Sequence, residues 1–258
     1  MVLDEIIDQK RKEIEEHKRE LPLPKIRQMA EKMGEAKRSL AKSLTTKQKV
    51  HLICELKKAS PSEGVLRENF DPKALAQEFE SAGASAISVL TERHYLKGDP
   101  KTLKLIRPVT TIPLLRKDFI LDIYQIYETA LLGADAFLLI TMLLTDLQLK
   151  EMLKLAHTLK LNVLVEVHTK EELDRALSVG SEIIGINNRN LKTLKIDRSV
   201  SENLIRFIPK DKVAVVESGI ETREEIEHYQ ALGARCFLVG TALMKSINVK
   251  ETISELHG

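Results

Sequence analysis

The stretch Leu132-Gly133-Ala134-Asp135 ends one helical segment and leads directly into the apolar run at residues 136–141. Its glycine suits the position after a helix, where the backbone turns into the left-handed conformation. The same pattern recurs at Ala82-Gly83-Ala84-Ser85, Val179-Gly180-Ser181-Glu182 and Leu232-Gly233-Ala234-Arg235. The glycines lie roughly 50 residues apart, and an interval of that length holds two strand–helix units. The repeat therefore predicts four pairs of units, which is eight strands.

Apolar runs in the chain agree with this count. They lie at residues 50–56, 86–90, 112–116, 136–141, 162–167, 183–187, 213–217 and 236–240. Helix start signals such as Asp71-Pro72 and Thr169-Lys170-Glu171-Glu172 stand between them. Apolar runs that alternate with helices are typical of parallel strands buried on both faces. We predict an α/β protein with a single (β/α)8 TIM barrel, because an open doubly wound sheet would have fewer strands and a glycine-rich first turn.

Residues 1–46 precede the first apolar run and are dense in charge. Leu21-Pro22-Leu23-Pro24 ends a first helix, and a second helix is predicted from Lys25 to about Ser39. Because this segment has no strand of its own, we expect it to pack on the barrel as an extra helical segment. The predicted division is an N-terminal extension at 1–46 and a barrel at 47–258. One more helix is expected around residues 199–208.

The composition is that of an ordinary globular protein, with 43% hydrophobic and 30% charged residues. A net charge of +2 is too small to favour nucleic acid as a partner. Cys54 and Cys236 lie in apolar runs without a CxxC partner, which is typical of reduced cysteines in the cytoplasm. The sequence shows neither a bilayer-spanning apolar run nor a signal peptide. We expect a cytoplasmic protein, monomeric or weakly homo-oligomeric, that binds neither nucleic acid nor membrane.

Polar and ionisable side chains gather where the predicted strands end. In barrels of this kind the chemistry is built at the carboxyl ends of the strands. In chain order these ends carry Glu55 with Lys57, then Glu92, Lys117, Thr141, Glu166, Asn187 with Arg189, Glu217, and Thr241. A barrel without a site would have one or two such residues there by chance. The pattern therefore predicts an active site.

Two turns that contain glycine predict where an anion binds. Ser218-Gly219 follows the seventh run, and Gly240-Thr241 follows the eighth. Glycine lets backbone N–H groups approach an anion, and the loops after strands seven and eight commonly hold phosphate. Ser60-Pro61-Ser62 adds hydroxyl groups after the first run. We predict a phosphorylated small-molecule substrate.

Lys117 and Glu166 are the candidate acid and base. We expect neighbouring groups to lower the pKa of Lys117, and burial to raise the pKa of Glu166. His168 is expected to be a loop residue beside Glu166. The sequence has no HxH pair, no clustered aspartates and no nucleophile elbow. We therefore expect no metal ion, no cofactor, and no serine or cysteine nucleophile.

The motifs at the strand ends, in order between residues 50 and 246, also carry a family resemblance. They are Glu55-Leu56-Lys57-Lys58-Ala59-Ser60-Pro61-Ser62, Ser88-Val89-Leu90-Thr91-Glu92, Leu115-Arg116-Lys117-Asp118-Phe119, Val165-Glu166-Val167-His168, Ile184-Gly185-Ile186-Asn187-Asn188-Arg189-Asn190-Leu191, Val216-Glu217-Ser218-Gly219-Ile220 and Leu238-Val239-Gly240-Thr241-Ala242-Leu243-Met244. Together they resemble the indole-3-glycerol-phosphate synthases of tryptophan biosynthesis. Thr241 stands where many members of that family have serine, so the hydroxyl is retained.

This resemblance implies an activity and a set of residue roles. The implied reaction converts 1-(o-carboxyphenylamino)-1-deoxyribulose 5-phosphate to indole-3-glycerol phosphate, with loss of carbon dioxide and water. Lys117 resembles the general acid on the ribulose carbonyl, and Glu166 resembles the base or proton shuttle of the dehydration. The residues that resemble orienting and stabilising groups are Glu55, Lys57 and Asn187. The residues that resemble substrate contacts are Arg189 for the anthranilate carboxylate, Pro61 and Phe119 for the ring, and Ser60, Ser218, Gly219, Gly240 and Thr241 for the phosphate, with Lys57 near it.

Two other classes of function remain open from the residues alone. A different phosphate-binding barrel, such as a ribosyl-phosphate isomerase, would share the two glycine turns but would not need Arg189 or the Glu55–Lys57 pair. A non-catalytic partner subunit on the same scaffold would have lost charges at the strand ends, and none is missing. Within the enzyme interpretation, Lys57 remains a rival to Lys117 as the acid.

Overall fold

The structure, a computed structural model, describes residues 2–33, 37–60 and 64–258. Within these residues, eight parallel strands close into a barrel. The strands are β1 (His51–Leu56), β2 (Ala86–Leu90), β3 (Leu114–Lys117), β4 (Ala136–Ile140), β5 (Asn162–Val167), β6 (Ile183–Asn187), β7 (Val213–Glu217) and β8 (Cys236–Val239). Each strand pairs with its neighbours in the chain, and β1 also pairs with β8, which closes the barrel. The predicted (β/α)8 barrel is confirmed.

Four strands differ from the predicted bounds, because β1 begins one residue later and β8 ends one residue earlier than predicted, and β3 and β4 differ for local reasons. The third run was expected at 112–116, but β3 begins at Leu114, after Pro113, which has no N–H to donate to a ladder. The fourth run was expected at 136–141, but β4 ends at Ile140 because Thr141–Leu143 form a 3-10 turn. The later end of β3 makes Lys117 its last residue.

Helices alternate with the strands as the repeat predicts. They are α1 (Val2–Glu20), α2 (Leu23–Glu31), α3 (Leu40–Ser43), α4 (Pro72–Ser81), α5 (Lys101–Ile106), α6 (Ile123–Leu131), α7 (Asp146–Thr158), α8 (Lys170–Ser178), α9 (Ser199–Leu204), α10 (Arg223–Ala231), α11 (Thr241–Lys245) and α12 (Val249–His257). The repeat glycines Gly83, Gly133, Gly180 and Gly233 all have positive φ, between 78° and 103°. They take the position after a helix that the sequence assigns to them.

The second N-terminal helix is shorter than predicted. The sequence predicts it from Lys25 to about Ser39, whereas α2 ends at Glu31. Ser39 instead caps α3, where its side chain accepts a hydrogen bond of 3.2 Å from the backbone N–H of Lys42. A serine favours a helix start over a helix interior because its hydroxyl satisfies a free N–H there.

The helices before β1 contact both ends of the barrel. At the amino ends of the strands, Leu40 and Leu44 pack with the side chains that fill the barrel, and the Leu40 N–H donates to Asn162 at 2.7 Å. Leu3 and Ile6 of α1 belong to the same apolar cluster, but they lie at the carboxyl ends, in the wall of the cavity described below. The chain before β1 is thus continuous with the core of the barrel.

Candidate active site

A cavity opens at the carboxyl ends of the strands and contains the predicted site residues. Those that the structure describes all line it: Glu55, Lys57, Ser60, Lys117, Phe119, Glu166, Asn187, Arg189, Ser218, Gly219, Gly240 and Thr241. Pro61 is also a predicted site residue, but it lies outside the described residues. The cavity therefore combines cations, carboxylates and glycine turns from different strand ends.

Lys117 is surrounded by buried carboxylates. Its Nζ lies 3.1 Å from Glu217 Oε2 and 3.4 Å from Glu166 Oε2. Burial lowers the pKa of Lys117, but the negative charges of Glu217, Glu166 and Glu55 outweigh burial and raise it. The prediction that the pKa of Lys117 is lowered is therefore wrong, because its neighbours are carboxylates that stabilise the ammonium form. Lys117 is a cation at neutral pH.

Glu166 is a carboxylate held between two cationic groups. Only 1% of its side chain is exposed, and its Oε1 lies 3.3 Å from His168 Nε2. Burial raises the pKa of Glu166, but Lys117 and His168 outweigh burial and lower it. The expectation of a raised pKa is wrong for this reason. Burial also opposes the charge of His168, yet Glu166 and Glu172 raise the pKa of that imidazole to about 10.

Glu217, the last residue of β7, has no role assigned from the sequence beyond its place at a strand end. It lines the cavity, and its carboxylate is the nearer of the two to Lys117. Burial raises the pKa of Glu217, Lys117 opposes this, and the charge of Glu166 adds to the rise, so the net shift is upward. Gly185 on β6 leaves room for this carboxylate, because a Cβ there would overlap Glu217 Oε1. The strand-end position of Glu217 predicts its place in the cavity, but its contact with Lys117 depends on a distance between two strands, which no local pattern gives.

Lys57 connects the ends of β1 and β8. Its Nζ donates to Thr241 Oγ1 at 2.9 Å and lies 3.6 Å from Glu55 Oε1. Gly240 leaves room for the Glu55 carboxylate beside this turn, because a Cβ at position 240 would lie 2.7 Å from Glu55 Oε1. The expected pair of Glu55 and Lys57 is present, and Lys57 also reaches the predicted phosphate turn.

Asn187 is the last residue of β6, and Arg189 follows it in the loop at the rim of the cavity. Asn187 Oδ1 accepts a hydrogen bond of 2.9 Å from the backbone N–H of Arg189. The Arg189 guanidinium donates to the Leu194 carbonyl at 2.8 Å, and both residues line the cavity. The loop after β6 thereby holds a fixed guanidinium at the rim, which suits a carboxylate ligand.

A buried ion-pair network fixes the chain on either side of Lys117. Asp118 Oδ1 accepts from the Phe119 N–H at 2.9 Å and lies 3.1 Å from Lys10 Nζ of α1. Its Oδ2 lies 3.0 Å from the Arg116 guanidinium. These contacts hold the end of β3 beside Phe119, a residue that is 8% exposed and lines the cavity.

Two of the strand-end residues have other tasks. The carboxylate of Glu92 accepts three backbone N–H groups, from His94, Tyr95 and Leu96, at 2.9, 2.8 and 2.7 Å. Glu92 therefore stabilises the loop that follows β2. Thr141 begins the 3-10 turn after β4 and is fully buried, away from the cavity lining.

The described ranges contain no group of three or more His, Cys, Asp or Glu side chains that could hold a metal ion. Nor does any helix within them have the length and apolar character needed to cross a membrane.

The fold and the cavity define a (β/α)8-barrel enzyme that combines acid–base groups with turns suited to an anion. A family model described as "Indole-3-glycerol phosphate synthase" matches residues 3–256. The chain belongs to the indole-3-glycerol phosphate synthase family.

Curated relatives agree with this assignment over nearly the whole chain. The indole-3-glycerol phosphate synthase of Thermoanaerobacter pseudethanolicus is 44% identical over 258 residues, which is 99% of this chain and 96% of the relative. That of Campylobacter jejuni is 45% identical over 246 residues, or 95% of each chain. That of Dehalococcoides mccartyi is 45% identical over 259 residues, 99% of this chain and 100% of the relative.

Solved structures support the fold alone. KGPDC from Streptococcus mutans has a TM-score of 0.63 at 14% identity, over 81% of this chain and 96% of that one. Thiamine phosphate pyrophosphorylase from Pyrococcus furiosus has a TM-score of 0.60 at 15% identity, over 81% of this chain and 94% of that one.

Proposed function

We propose that the cavity performs the ring closure of this family, with the predicted site residues in the roles given below. The chain is a decarboxylating lyase of tryptophan biosynthesis that forms indole-3-glycerol phosphate. The observation that carries the assignment of roles is the Lys117 ammonium between Glu166 and Glu217, at the centre of a cavity that has glycine turns on one side.

The substrate of the proposed reaction is 1-(o-carboxyphenylamino)-1-deoxyribulose 5-phosphate, and its two ends are anions. The phosphate would lie against Ser218-Gly219 and Gly240-Thr241, with Ser60 and Lys57 close to it. Lys57 favours this placement because it already donates to Thr241. The anthranilate carboxylate would pair with Arg189, and its ring would lie against Phe119 and the apolar wall of α1.

Lys117 acts as the acid in the proposed ring closure. Its charge stabilises negative charge that develops on the ribulose carbonyl oxygen while the ring carbon attacks, and it donates the proton to that oxygen. Decarboxylation then restores the aromatic ring. The raised pKa keeps Lys117 protonated before the reaction, so electrostatic stabilisation is available at the start of each turnover.

Glu166 acts in the later dehydration. Its lowered pKa keeps it in the carboxylate form, which can accept the proton that the new ring loses and pass it to the hydroxyl group, so that this group leaves as water. Glu55 and Asn187 orient these groups from neighbouring strand ends. Lys117 forms two ion pairs, and the shorter one, to Glu217, holds its ammonium group in place.

The test is a fluorescence assay of purified protein with the proposed substrate, run with and without EDTA. We expect indole-3-glycerol phosphate to form at the same rate in both, because every proposed step uses protein side chains. The isomerase interpretation would instead predict a ribosyl phosphate product from a substrate without an anthranilate group. The position of Arg189 and of the Glu55–Lys57 pair in the cavity wall favours the synthase.

A further inference from the structure

The turn after β7 has an unusual backbone. Ser218 has a φ of 65° and Gly219 a φ of 79°, so two successive residues are left-handed. Glycine adopts this conformation freely, but a residue with a Cβ adopts it rarely. Both residues line the cavity. The conformation of Ser218 therefore needs support from outside the turn.

Asn188 provides that support from behind the turn. It directly follows Asn187, is 1% exposed, and is absent from the cavity wall. Its Nδ2 donates to the Ser218 carbonyl at 3.0 Å and to the Tyr229 hydroxyl at 3.2 Å, and its Oδ1 accepts from the Ser201 N–H at 3.1 Å. Both amide N–H groups and the amide oxygen are thus used, which fixes the orientation of the side chain.

The direction of the Ser218 carbonyl decides the direction of the next N–H. Their peptide bond is trans, so the carbonyl of Ser218 and the N–H of Gly219 point in opposite directions. Asn188, which also bonds α9 and α10 through Ser201 and Tyr229, holds the Ser218 carbonyl on its own side of the turn. The Gly219 N–H consequently points the other way, toward the cavity that Gly219 lines. Arg198 fixes the next carbonyl of the turn, because its Nε donates to the Gly219 carbonyl at 3.2 Å.

We propose that Asn188, oriented by Tyr229, is a positioning residue that aims the Gly219 N–H at the phosphate group of the substrate. This inference rests on the proposed function, which assigns the phosphate to this turn. The amide itself contacts no substrate atom. It acts by holding one peptide unit in an orientation that the turn does not favour on its own, so that the donor is in place before the phosphate arrives.

The experiment compares Asn188→Ala and Tyr229→Phe with the unmodified chain, using steady-state kinetics and competitive inhibition by inorganic phosphate. For Asn188→Ala we expect KM and the phosphate inhibition constant to rise together by roughly tenfold, the scale of one lost hydrogen bond to a charged group. We expect kcat to change by less than about twofold, because the acid–base groups are elsewhere. Tyr229→Phe should shift both constants in the same direction by less.

Asn162→Ala is the matched control, because it removes a half-buried asparagine that bonds Leu40 at the opposite end of the barrel. We expect it to lower the melting temperature without changing KM or phosphate inhibition. If Asn188→Ala behaves like this control, the positioning role is wrong and the residue is only structural. Thr241→Asp separates this result from a failure of the proposed phosphate site. If that added charge leaves phosphate inhibition unchanged, the phosphate binds elsewhere, and both proposals fall.

Discussion

At the scale of single residues, the charge balance around Lys117 controls what each group can do. One ammonium faces two nearly inaccessible carboxylates, and the three cannot titrate independently. The pKa of Glu166 is lowered and that of Glu217 is raised, because Glu166 has a second cationic neighbour, His168, that Glu217 lacks. Environments that push two pKa values apart are a common way to assign different roles to like groups.

The first prediction separates the two lysines of the cavity. Lys117→Ala should lower kcat by roughly 10²–10⁴-fold, the usual contribution of a general acid, and KM should change less because the anion contacts remain. Lys57→Ala should mainly raise KM, because Lys57 bonds Thr241 in the phosphate turn. Single-turnover kinetics with the same substrate measures ring closure in both variants. Near-normal closure in Lys117→Ala together with its loss in Lys57→Ala would reverse the two roles.

The second prediction concerns the order of steps. Glu166→Gln keeps the size of the side chain but cannot accept a proton, so dehydration should slow while ring closure continues. An intermediate that has lost carbon dioxide but kept the hydroxyl group should then accumulate. Rapid quenching followed by mass spectrometry detects it by its additional water. A variant that stops before decarboxylation would show instead that Glu166 acts in ring closure.

The directions of these pKa shifts mark the limit of what the sequence predicts at this scale. Strand-end positions identified Lys117, Glu166 and the glycine turns, because each strand contributes its last side chain to the same face. Distances between side chains of different strands are not encoded in any local pattern, however. The approach of Glu217 to Lys117 reversed the expected shift of the lysine, and His168 helped reverse that of Glu166.

At the scale of elements, α1 is attached to the barrel by ion pairs of very different burial. The Lys10 and Asp118 side chains are 5% and 0% exposed, and their contact joins α1 to the end of β3. Lys18 and Asp122 are 27% and 31% exposed, and their contact of 2.8 Å joins α1 to the start of α6. The first pair lies beside Lys117 at the end of β3, whereas the second lies at the surface.

The third prediction uses these two pairs as a matched comparison. Lys10→Met leaves a buried carboxylate with one cation fewer, and should lower the free energy of unfolding by about 3–5 kcal/mol. Lys18→Met breaks an exposed pair and should cost about 0–1 kcal/mol. Urea unfolding followed by circular dichroism measures both. Equal losses would show that burial does not distinguish the two contacts.

The fourth prediction concerns acid. Burial raises the pKa of Glu128 on α6, but Arg116 and His17 outweigh burial and hold it at about 2 instead of 4.5. A lowered pKa in the folded state stabilises the protein above pH 4.5, and this contribution is lost as the pH falls toward 2. Glu128→Gln should therefore lower the free energy of unfolding by on the order of 3 kcal/mol at neutral pH.

Unfolding measured at neutral pH and near pH 2 tests this dependence. The difference between Glu128→Gln and the unmodified chain should shrink steadily below pH 4.5, because the carboxyl of the unfolded chain is then protonated while the native carboxyl keeps its charge until about pH 2. A difference of constant size across this range would mean that the charge of Glu128 is not what stabilises the contact between α1 and α6.

At the scale of the whole molecule, the barrel could be predicted because its signals are local and repeated. Each repeat glycine ends a helix by its own conformational freedom, and each apolar run corresponds to one strand within two residues at either end. The segment before β1 has no such repeat. Its second helix ends at Glu31 and not at about Ser39 as predicted, and Ser39 instead caps a short helix that packs at the amino ends of the strands.

The last prediction concerns the proposed division into an extension at 1–46 and a barrel at 47–258. Leu3 and Ile6 contribute to the cavity wall, while Leu40 and Leu44 close the opposite end, so both ends of the apolar core lose cover when the extension is removed. We expect the full chain to unfold in one cooperative calorimetric transition. A chain that begins at residue 47 should melt at a lower temperature and bind substrate with a higher KM.

A chain that begins at residue 22 separates these two effects, because it lacks α1 but keeps α3. It should show most of the rise in KM, since Leu3 and Ile6 are gone, and only part of the loss in melting temperature, since Leu40 still bonds Asn162. Two separate transitions in the full chain, with the weaker one absent after truncation, would instead identify the extension as an independently folding domain. One transition is the expected result because Lys10 and Asp118 place part of the extension inside the ion-pair network of β3, which unfolds with the barrel.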